Sequence, residues 1–220
     1  MRFANQVTLE AYLAAFRTLE PGMTQTALTR NIAAAITQLG FSGGATVLFG
    51  ESSAYPHGAP NPKPLAAGDI VLVDGGLGVH GYRSDITRTV SLGQASSAEA
   101  ERVFEVVRGA QQAALAAARP GQPAGAVDGA ARAHITQAGY GQGYELFTHR
   151  LGHGIGLEGH EWPYLVKGST VALVPGMTFS DEPGIYQYGK FGVRCEDIMV
   201  ITDSGAELLT PPATALRFDP

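Results

Sequence analysis

Apolar residues recur every three or four positions in four parts of the chain, and this spacing predicts four amphipathic helices. The predicted helices cover residues 5–19, 24–39, 97–118 and 124–138. Proline-glycine pairs follow the first and third stretches, and single glycines follow the second and fourth, as expected where helices end. Thr24 and the pair Ser96-Ser97 stand where N-cap residues are expected.

Short apolar runs between and after these helices predict β-strands. They cover residues 45–49, 70–74 and 82–91, with a glycine-rich turn between the last two, and the chain from residue 140 onward consists of strand and loop. The order is therefore helices, strands, helices, strands. This order favours an α+β fold over regular alternation of strand and helix.

Composition narrows the class of protein. The 220 residues are 45% apolar and 16% charged, which is enough apolar material for a sizeable core. The sequence contains no run of 18 apolar residues, so no membrane span is expected, and no signal peptide is visible. The net charge of −5, without a basic patch, disfavours nucleic acid as a partner. A single cysteine, Cys195, excludes an intrachain disulfide and suits a reducing compartment, so a cytoplasmic location is expected.

Two histidines seven residues apart, His153 and His160, lie in the segment LGHGIGLEGHEWPYL. Its glycines each cost roughly 1 kcal/mol in a helix, so the segment is predicted to be an extended strand with a loop. The His-Glu-x-x-His pattern of zinc proteases fails here, because no second histidine follows His160 at that spacing. The segment alone leaves two interpretations open: a functional pair, or one core and one surface histidine.

Two segments, one before the third predicted helix and one near the C-terminus, share a pattern of glycine, acid and apolar strand. Each begins Leu-x-x-Gly, and an acid, Asp74 or Glu182, follows that glycine by six residues. A glycine-rich reversal comes next, and then a second acid, Asp85 or Glu196, leads into a β-branched strand. The match predicts two related halves, each with two helices and a hairpin. An approximate twofold between the halves would bring four carboxylates toward one centre, although each acid alone could be a turn residue.

Four clustered carboxylates cannot all stay ionised without cations, because like charges raise one another's pKa. Two divalent ions would balance the four charges, and His153 would then be the single nitrogen ligand. An oxygen-rich set with one imidazole favours hard ions such as Mn²⁺, with Fe²⁺, Co²⁺ or Zn²⁺ as alternatives. In such sites the ions lie roughly 3.5–4 Å apart and can share a hydroxide that is nucleophilic near neutral pH.

The motifs around these residues are VDGG-x₅-YRSDITRT, GHGIGLEGHE, DEPGIY and VRCEDIMVIT. Nearly the whole chain resembles, in motifs and in ligand order, the pita-bread dinuclear metallopeptidases, which include methionine aminopeptidase, aminopeptidase P and prolidase. The RCED and EPGIY motifs are similar to those of the Xaa-Pro branch. The resemblance implies the pita-bread fold, with two pseudo-twofold-related halves and a curved antiparallel sheet covered by helices.

The same resemblance implies a role for each of the five matched residues. Asp74 would bind one metal ion, and His153 and Glu182 would bind the other. Asp85 and Glu196 would bridge both ions. Glu182 would also carry the proton from the attacking hydroxide to the leaving amine.

Residues expected near the substrate follow from the resemblance as well. His160 would stabilise the tetrahedral intermediate, and His57, in the segment YPHG, would be a further substrate contact, with a surface position as the alternative for each. Trp162 and Tyr164 either line the substrate pocket or are ordinary packing residues.

Other polar side chains beside the motifs carry weaker expectations. Arg194 is expected to orient Glu196 through a charge-assisted hydrogen bond, and the alternative is a solvent-facing strand residue. His149, which lies in the segment THRLGHG, is expected to be structural rather than catalytic. Strand alternation turns Cys195 away from the side that bears Glu196, so the cysteine is expected in the core.

Two departures from the family bear on specificity. Xaa-Pro enzymes usually carry a domain before the catalytic one, and it is absent here, so residues 1–220 are expected to form a single catalytic domain. In many prolidases an arginine that can hold a dipeptide's carboxylate follows the proline of the HE-x-P segment. Here Tyr164 takes that position, and Lys167 is the only nearby cation in the sequence. This weakens the case for a strict dipeptidase.

The leading interpretation is a metal-dependent peptidase that hydrolyses the bond between an N-terminal residue and proline through a metal-bridging hydroxide, as an Xaa-Pro dipeptidase does. Its expected partner is a small peptide with proline in second position, and a homodimer is an open expectation. The main alternative is an Xaa-Pro aminopeptidase acting on longer peptides. A creatinase-like amidinohydrolase or a non-catalytic binding module is less well supported, because relatives of those kinds lack this ligand set.

Overall fold

The computed structural model of the protein describes residues 1–56, 58, 62–93 and 97–218, so His57 lies outside the described residues. Four α-helices occur in the described part of the chain, and they confirm the four that apolar spacing predicts. In chain order, α1 to α4 cover Arg2–Phe16, Gln25–Gln38, Ala98–Ala117 and Ala124–Gln137. None of these helices is long and apolar enough to cross a membrane.

Helix ends follow the local chemistry of the sequence. The side-chain oxygens of Thr24 and Ser97 each accept a hydrogen bond from the amide three residues further on, which caps α2 and α3 as predicted. Gly40 and Gly139 follow α2 and α4 with φ of 89° and 86°. Residues with a side chain rarely adopt this left-handed conformation, so these glycines end the two helices.

Twelve β-strands occur in the described residues. In chain order, β1 to β12 cover Gly43–Phe49, Ile70–Val79, Tyr82–Arg83, Ile86–Leu92, Gly152–Gly154, Glu161–Leu165, Thr178–Asp181, Gly184–Gln187, Phe191–Arg194, Asp197–Ile201, Ala206–Leu208 and Arg217–Phe218. A short 3₁₀ helix, Gly50–Ala54, follows β1.

The strands form one sheet in each half of the molecule. The first sheet has the order β1-β2-β4-β12, with β3 paired to β2, and the second has the order β11-β10-β7-β5-β6. Strands β8 and β9 form a separate hairpin. Among the described pairs, only β12 with β4 is parallel. The C-terminal residues of β12 return to the outer edge of the first sheet. That pair departs from the expected antiparallel pattern.

Each sheet is covered by two helices over its own apolar core. Tyr12 of α1 and Ile32 of α2 pack against the first sheet, and Val107 of α3 and Val127 of α4 pack against the second. Cys195 is buried in the second core, as expected. The arrangement confirms the two halves predicted from the repeat.

The glycine-rich segment after Asp74 differs from its prediction. The sequence indicates a reversal directly after the acid, whereas β2 continues to Val79 and the chain turns at His80 and Gly81, both with positive φ. A Cβ on Gly76 would lie 2.0 Å from the carbonyl oxygen of Ser84. The glycines of this strand therefore permit close backbone packing rather than a turn.

The two halves meet beside the acidic residues. Thr87 in β4 and Glu196 form an antiparallel bridge, in which the amide of Glu196 donates to the carbonyl of Thr87. The buried guanidinium of Arg88 donates to the carbonyl of Glu196 at 2.9 Å and to the carboxylate of Asp197 at 2.6 Å. These contacts hold the strand that follows Asp85 against the segment that carries Glu196.

Candidate metal centre

The five predicted metal ligands come from both halves and line one cavity of about 560 Å³. Asp74 lies in β2 and Asp85 directly before β4, both in the first half. His153 lies in β5, Glu182 follows β7, and Glu196 stands between β9 and β10. The meeting of the two halves therefore brings together residues that are up to 122 positions apart in the sequence.

Among the described residues, three groups of side chains have ligand atoms within 4.8 Å of one another. They are Asp74–Asp85–Glu196, His153–Glu182–Glu196 and Asp85–His153–His160. Asp85, His153 and Glu196 each belong to two groups, so membership alone does not single out the two carboxylates predicted to bridge both ions. The assignment of each ligand to a particular ion stays a prediction.

The imidazole of His153 is oriented for ligation by its own strand. Its Nδ1 lies 3.0 Å from the carbonyl oxygen of Gly154, which only accepts, so Nδ1 carries the proton and Nε2 keeps its lone pair. Nε2 lies 3.4 Å from Oε1 of Glu182 and 3.7 Å from Oδ2 of Asp85. Burial lowers the pKa of His153 to about 4, so the ring is neutral at pH 7.

The acids around this nitrogen crowd one another. Burial raises the pKa of Asp85 and of Glu196 well above the ordinary range, and the neighbouring carboxylates raise both further. Burial also raises the pKa of Glu182 to about 7, against the opposing charge of Arg194. Cations placed among these oxygens would relieve the repulsion.

Arg194 has different partners from those expected. Its Nη2 donates to Oδ2 of Asp74 at 2.5 Å, and its Nε donates to Oγ1 of Thr87 at 3.0 Å. Thr87 in turn donates to Oε2 of Glu196 at 2.6 Å. The expected direct bond to Glu196 is therefore wrong: the buried guanidinium holds Asp74 directly and reaches Glu196 through a hydroxyl. Arg194 is buried, so the alternative of a solvent-facing strand residue is also wrong.

Two polar residues of the cavity wall, His149 and Arg150, were not assigned to the site from the sequence. Nε2 of His149 lies 2.8 Å from the hydroxyl of Tyr186, which accepts from Nη1 of Arg194 at 3.0 Å. Nδ1 of His149 lies 3.9 Å from Oε2 of Glu182. His149 is thus part of the hydrogen-bonded surroundings of the ligands, and its place directly before Arg150 and the GHG motif was the available signal.

Of the residues expected near the substrate, some line the cavity and one does not. His160 and Tyr164 line the cavity, and the ring centroids of His160 and His153 are 3.9 Å apart. Trp162 is 70% exposed and is not part of the described lining. In the pairing of β5 with β6, His153 lies opposite Tyr164 and Gly154 lies opposite Glu161, so residues 162–163 of β6 have no partner. This irregularity breaks the alternation of side chains along β6, so Trp162 and Tyr164 do not share a face.

The donor set fits divalent metal ions. It combines four carboxylates with one neutral imidazole whose Nε2 lies within 3.7 Å of two of them, and such oxygen-rich sets suit hard divalent cations. The hydrogen bonds to Asp74 and Glu196 from Arg194 and Thr87 fix two of the carboxylates, as surrounding residues commonly do in metal sites.

Comparison with known proteins places the chain among metallopeptidases. The model of metallopeptidase family M24 matches residues 1–203, so the chain belongs to this family. Probable dipeptidase PepE of Mycobacterium tuberculosis is 47% identical over 191 residues, which are 86% of this chain and 50% of that protein. The Xaa-Pro dipeptidase of Lactobacillus delbrueckii subsp. lactis is 40% identical over 226 residues, all of this chain and 60% of that protein.

Solved structures agree on the fold. The X-Pro aminopeptidase from Thermotoga maritima superposes with a TM-score of 0.91 at 35% identity, covering 99% of this chain and 62% of that one. The prolidase from Pyrococcus furiosus superposes with a TM-score of 0.89 at 34% identity, covering 97% and 63%. These matches confirm the pita-bread fold. The chain spans about half to three-fifths of the length of its curated relatives.

Proposed function

We propose that the protein is a metal-dependent peptidase that hydrolyses the bond between an N-terminal residue and proline. The observation that carries the proposal is the convergence of five metal-ligating side chains from both halves on one cavity. The relatives named Xaa-Pro dipeptidase and the family match support the same reaction.

Asp74, Asp85, His153, Glu182 and Glu196 would hold two divalent ions, and Mn²⁺ is the proposed ion because carboxylates dominate the set. Fe²⁺, Co²⁺ and Zn²⁺ are the alternatives. When bound, the ions would polarise the scissile carbonyl and lower the pKa of the attacking water.

Protein side chains would handle the proton and the developing charge. Oε1 of Glu182 accepts from Ser180 and faces His153, so Oε2 is the atom proposed to take the proton and pass it to the leaving nitrogen. His160, exposed on the cavity wall, would donate a hydrogen bond to the carbonyl oxygen as charge develops on it. His57 remains a proposed substrate contact on the resemblance alone.

The main alternative is an aminopeptidase that acts on longer peptides. Tyr164 stands where many prolidases have an arginine, and the X-Pro aminopeptidase from Thermotoga maritima shares the fold. An amidinohydrolase or a non-catalytic module finds less support, because all five ligands are present and converge.

The test compares Ala-Pro with Ala-Pro-Ala as substrates of the Mn²⁺-reconstituted protein, with amino-acid release as the readout. Release of alanine from either peptide supports Xaa-Pro cleavage, and the ratio of the two rates separates dipeptidase from aminopeptidase action. Absence of release from both, with two metal ions bound per chain, would contradict the proposal.

Three further expectations belong to this proposal. A single catalytic domain over residues 1–220, a cytoplasmic location and a homodimer each remain predictions. Sedimentation of the purified protein would test the last of them.

A further inference from the structure

One arginine of the cavity wall forms no ion pair with a described carboxylate. Arg150 lies on the cavity wall, and its guanidinium carbon is 4.4 Å from the centre of the Tyr164 ring. Both side chains are partly buried. Among the residues that the structure describes, no carboxylate lies within ion-pair distance of Arg150.

The other arginines inside the protein have carboxylate partners. Arg194 pairs with Asp74, and Arg132 holds both oxygens of Asp128. Arg150 is instead stacked over an aromatic face, an arrangement that fixes the plane of the guanidinium while its N–H edge stays available for a bidentate acceptor. This is the geometry of a guanidinium that is prepared for an anion from outside the chain.

Arg150 also lies close to the reacting groups. Burial lowers the pKa of His160, and the charge of Arg150 lowers it further. Tyr164, Val166 and Pro56 line the same cavity and offer apolar surface to a proline ring. Lys167, the cation that sequence proximity suggested, is exposed and is not part of the described lining.

We propose that Arg150, held in place by Tyr164, binds the free carboxylate of the C-terminal residue of the substrate. This inference rests on the proposed function and deepens it, because a carboxylate subsite next to the catalytic groups selects dipeptides over longer chains. Arg150 would thus do the work of the arginine that many prolidases carry at the position of Tyr164.

The test measures kcat/KM for Ala-Pro and for its amide, Ala-Pro-NH₂, which differs only in the missing carboxylate. The wild-type protein with Mn²⁺ should prefer Ala-Pro. Arg150→Gln should lower kcat/KM for Ala-Pro by roughly 10- to 100-fold, the loss expected for a charge-assisted bond, and leave the amide within about threefold. Lys167→Gln, the matched control, should change neither value, and Arg150→Lys should restore part of the preference.

A second measurement needs no variant. Proline should inhibit the wild-type protein at concentrations at which prolinamide does not, because only proline carries the carboxylate. Equal inhibition by both compounds, or an equal loss of both substrates in Arg150→Gln, would overturn the inference and leave Xaa-Pro cleavage intact. Failure of the wild-type protein to cleave either substrate with two ions bound would instead contradict the proposed function.

Discussion

The crowded carboxylates predict that the metal-free protein loses stability as the pH rises. Glu182 carries the best-defined contribution, because burial raises its pKa from the ordinary value of 4.5 to about 7. Between these two values the folded state binds more protons than the unfolded state does, so the free energy of unfolding falls with pH. The contribution of Glu182 is fully present below about pH 4.5 and is lost as the pH rises through about 7.

The size of this effect follows from the difference between the two pKa values. A difference of about 2.5 pH units, at 1.36 kcal/mol per unit, corresponds to about 3 kcal/mol of unfolding free energy. Glu182→Gln removes the ionisable group and keeps nearly the same shape. At pH 8 the metal-free variant should therefore be more stable than the metal-free wild type by up to about 3 kcal/mol, whereas at pH 5 the two should be nearly equal.

The assay is urea unfolding of the chelator-treated proteins at pH 5, 6.5 and 8, with and without excess Mn²⁺. Mn²⁺ should stabilise the wild type most at pH 8, because metal binding requires deprotonated ligands. Equal stability of the metal-free wild type at pH 5 and pH 8, or the same pH dependence in Glu182→Gln as in the wild type, would contradict a raised pKa of Glu182 as the cause.

The remaining predictions concern single side chains. Glu182→Gln should lower kcat for Ala-Pro by about 10²- to 10⁴-fold with an unchanged circular dichroism spectrum, and activity within tenfold of wild type would contradict the proton-carrying role. His153→Ala should weaken Mn²⁺ affinity by roughly tenfold or more in equilibrium dialysis, and unchanged affinity would refute its role as a ligand. Arg132→Met should cost about 3–5 kcal/mol in urea unfolding, because it leaves Asp128 buried without its partner, whereas Arg108→Met, at an exposed pair, should cost less than about 1 kcal/mol.

Local sequence chemistry predicted the helices well and the glycine-rich strand poorly. The caps at Thr24 and Ser97 depend on side chains and amides that are neighbours in sequence. The role of Gly76 depends on the carbonyl of Ser84, which comes within 2.0 Å of a Cβ position only after β2 and β3 have paired. A glycine that serves a turn and a glycine that serves close packing have the same sequence signal.

The meeting of the four acids could be predicted because both halves place an acid six residues after the glycine of a Leu-x-x-Gly motif. The environment of the ligands could not be predicted in this way. Arg194 was expected to bond Glu196, two residues away, but its partner Asp74 lies in the other half. Arg150, two residues before β5, contacts Tyr164 in β6, and the sequence does not locate this contact because it depends on the pairing of β5 with β6.

Dependence of Xaa-Pro cleavage on two metal ions is tested most directly by titrating the metal-free protein with Mn²⁺, with proline release from Ala-Pro and bound metal measured in the same samples. A dinuclear metallopeptidase should show no release without metal, full activity at about two ions per chain, and loss of activity on chelation. Proline release that is unaffected by removal of the metal, or two bound ions without any release, would contradict a dinuclear Xaa-Pro peptidase.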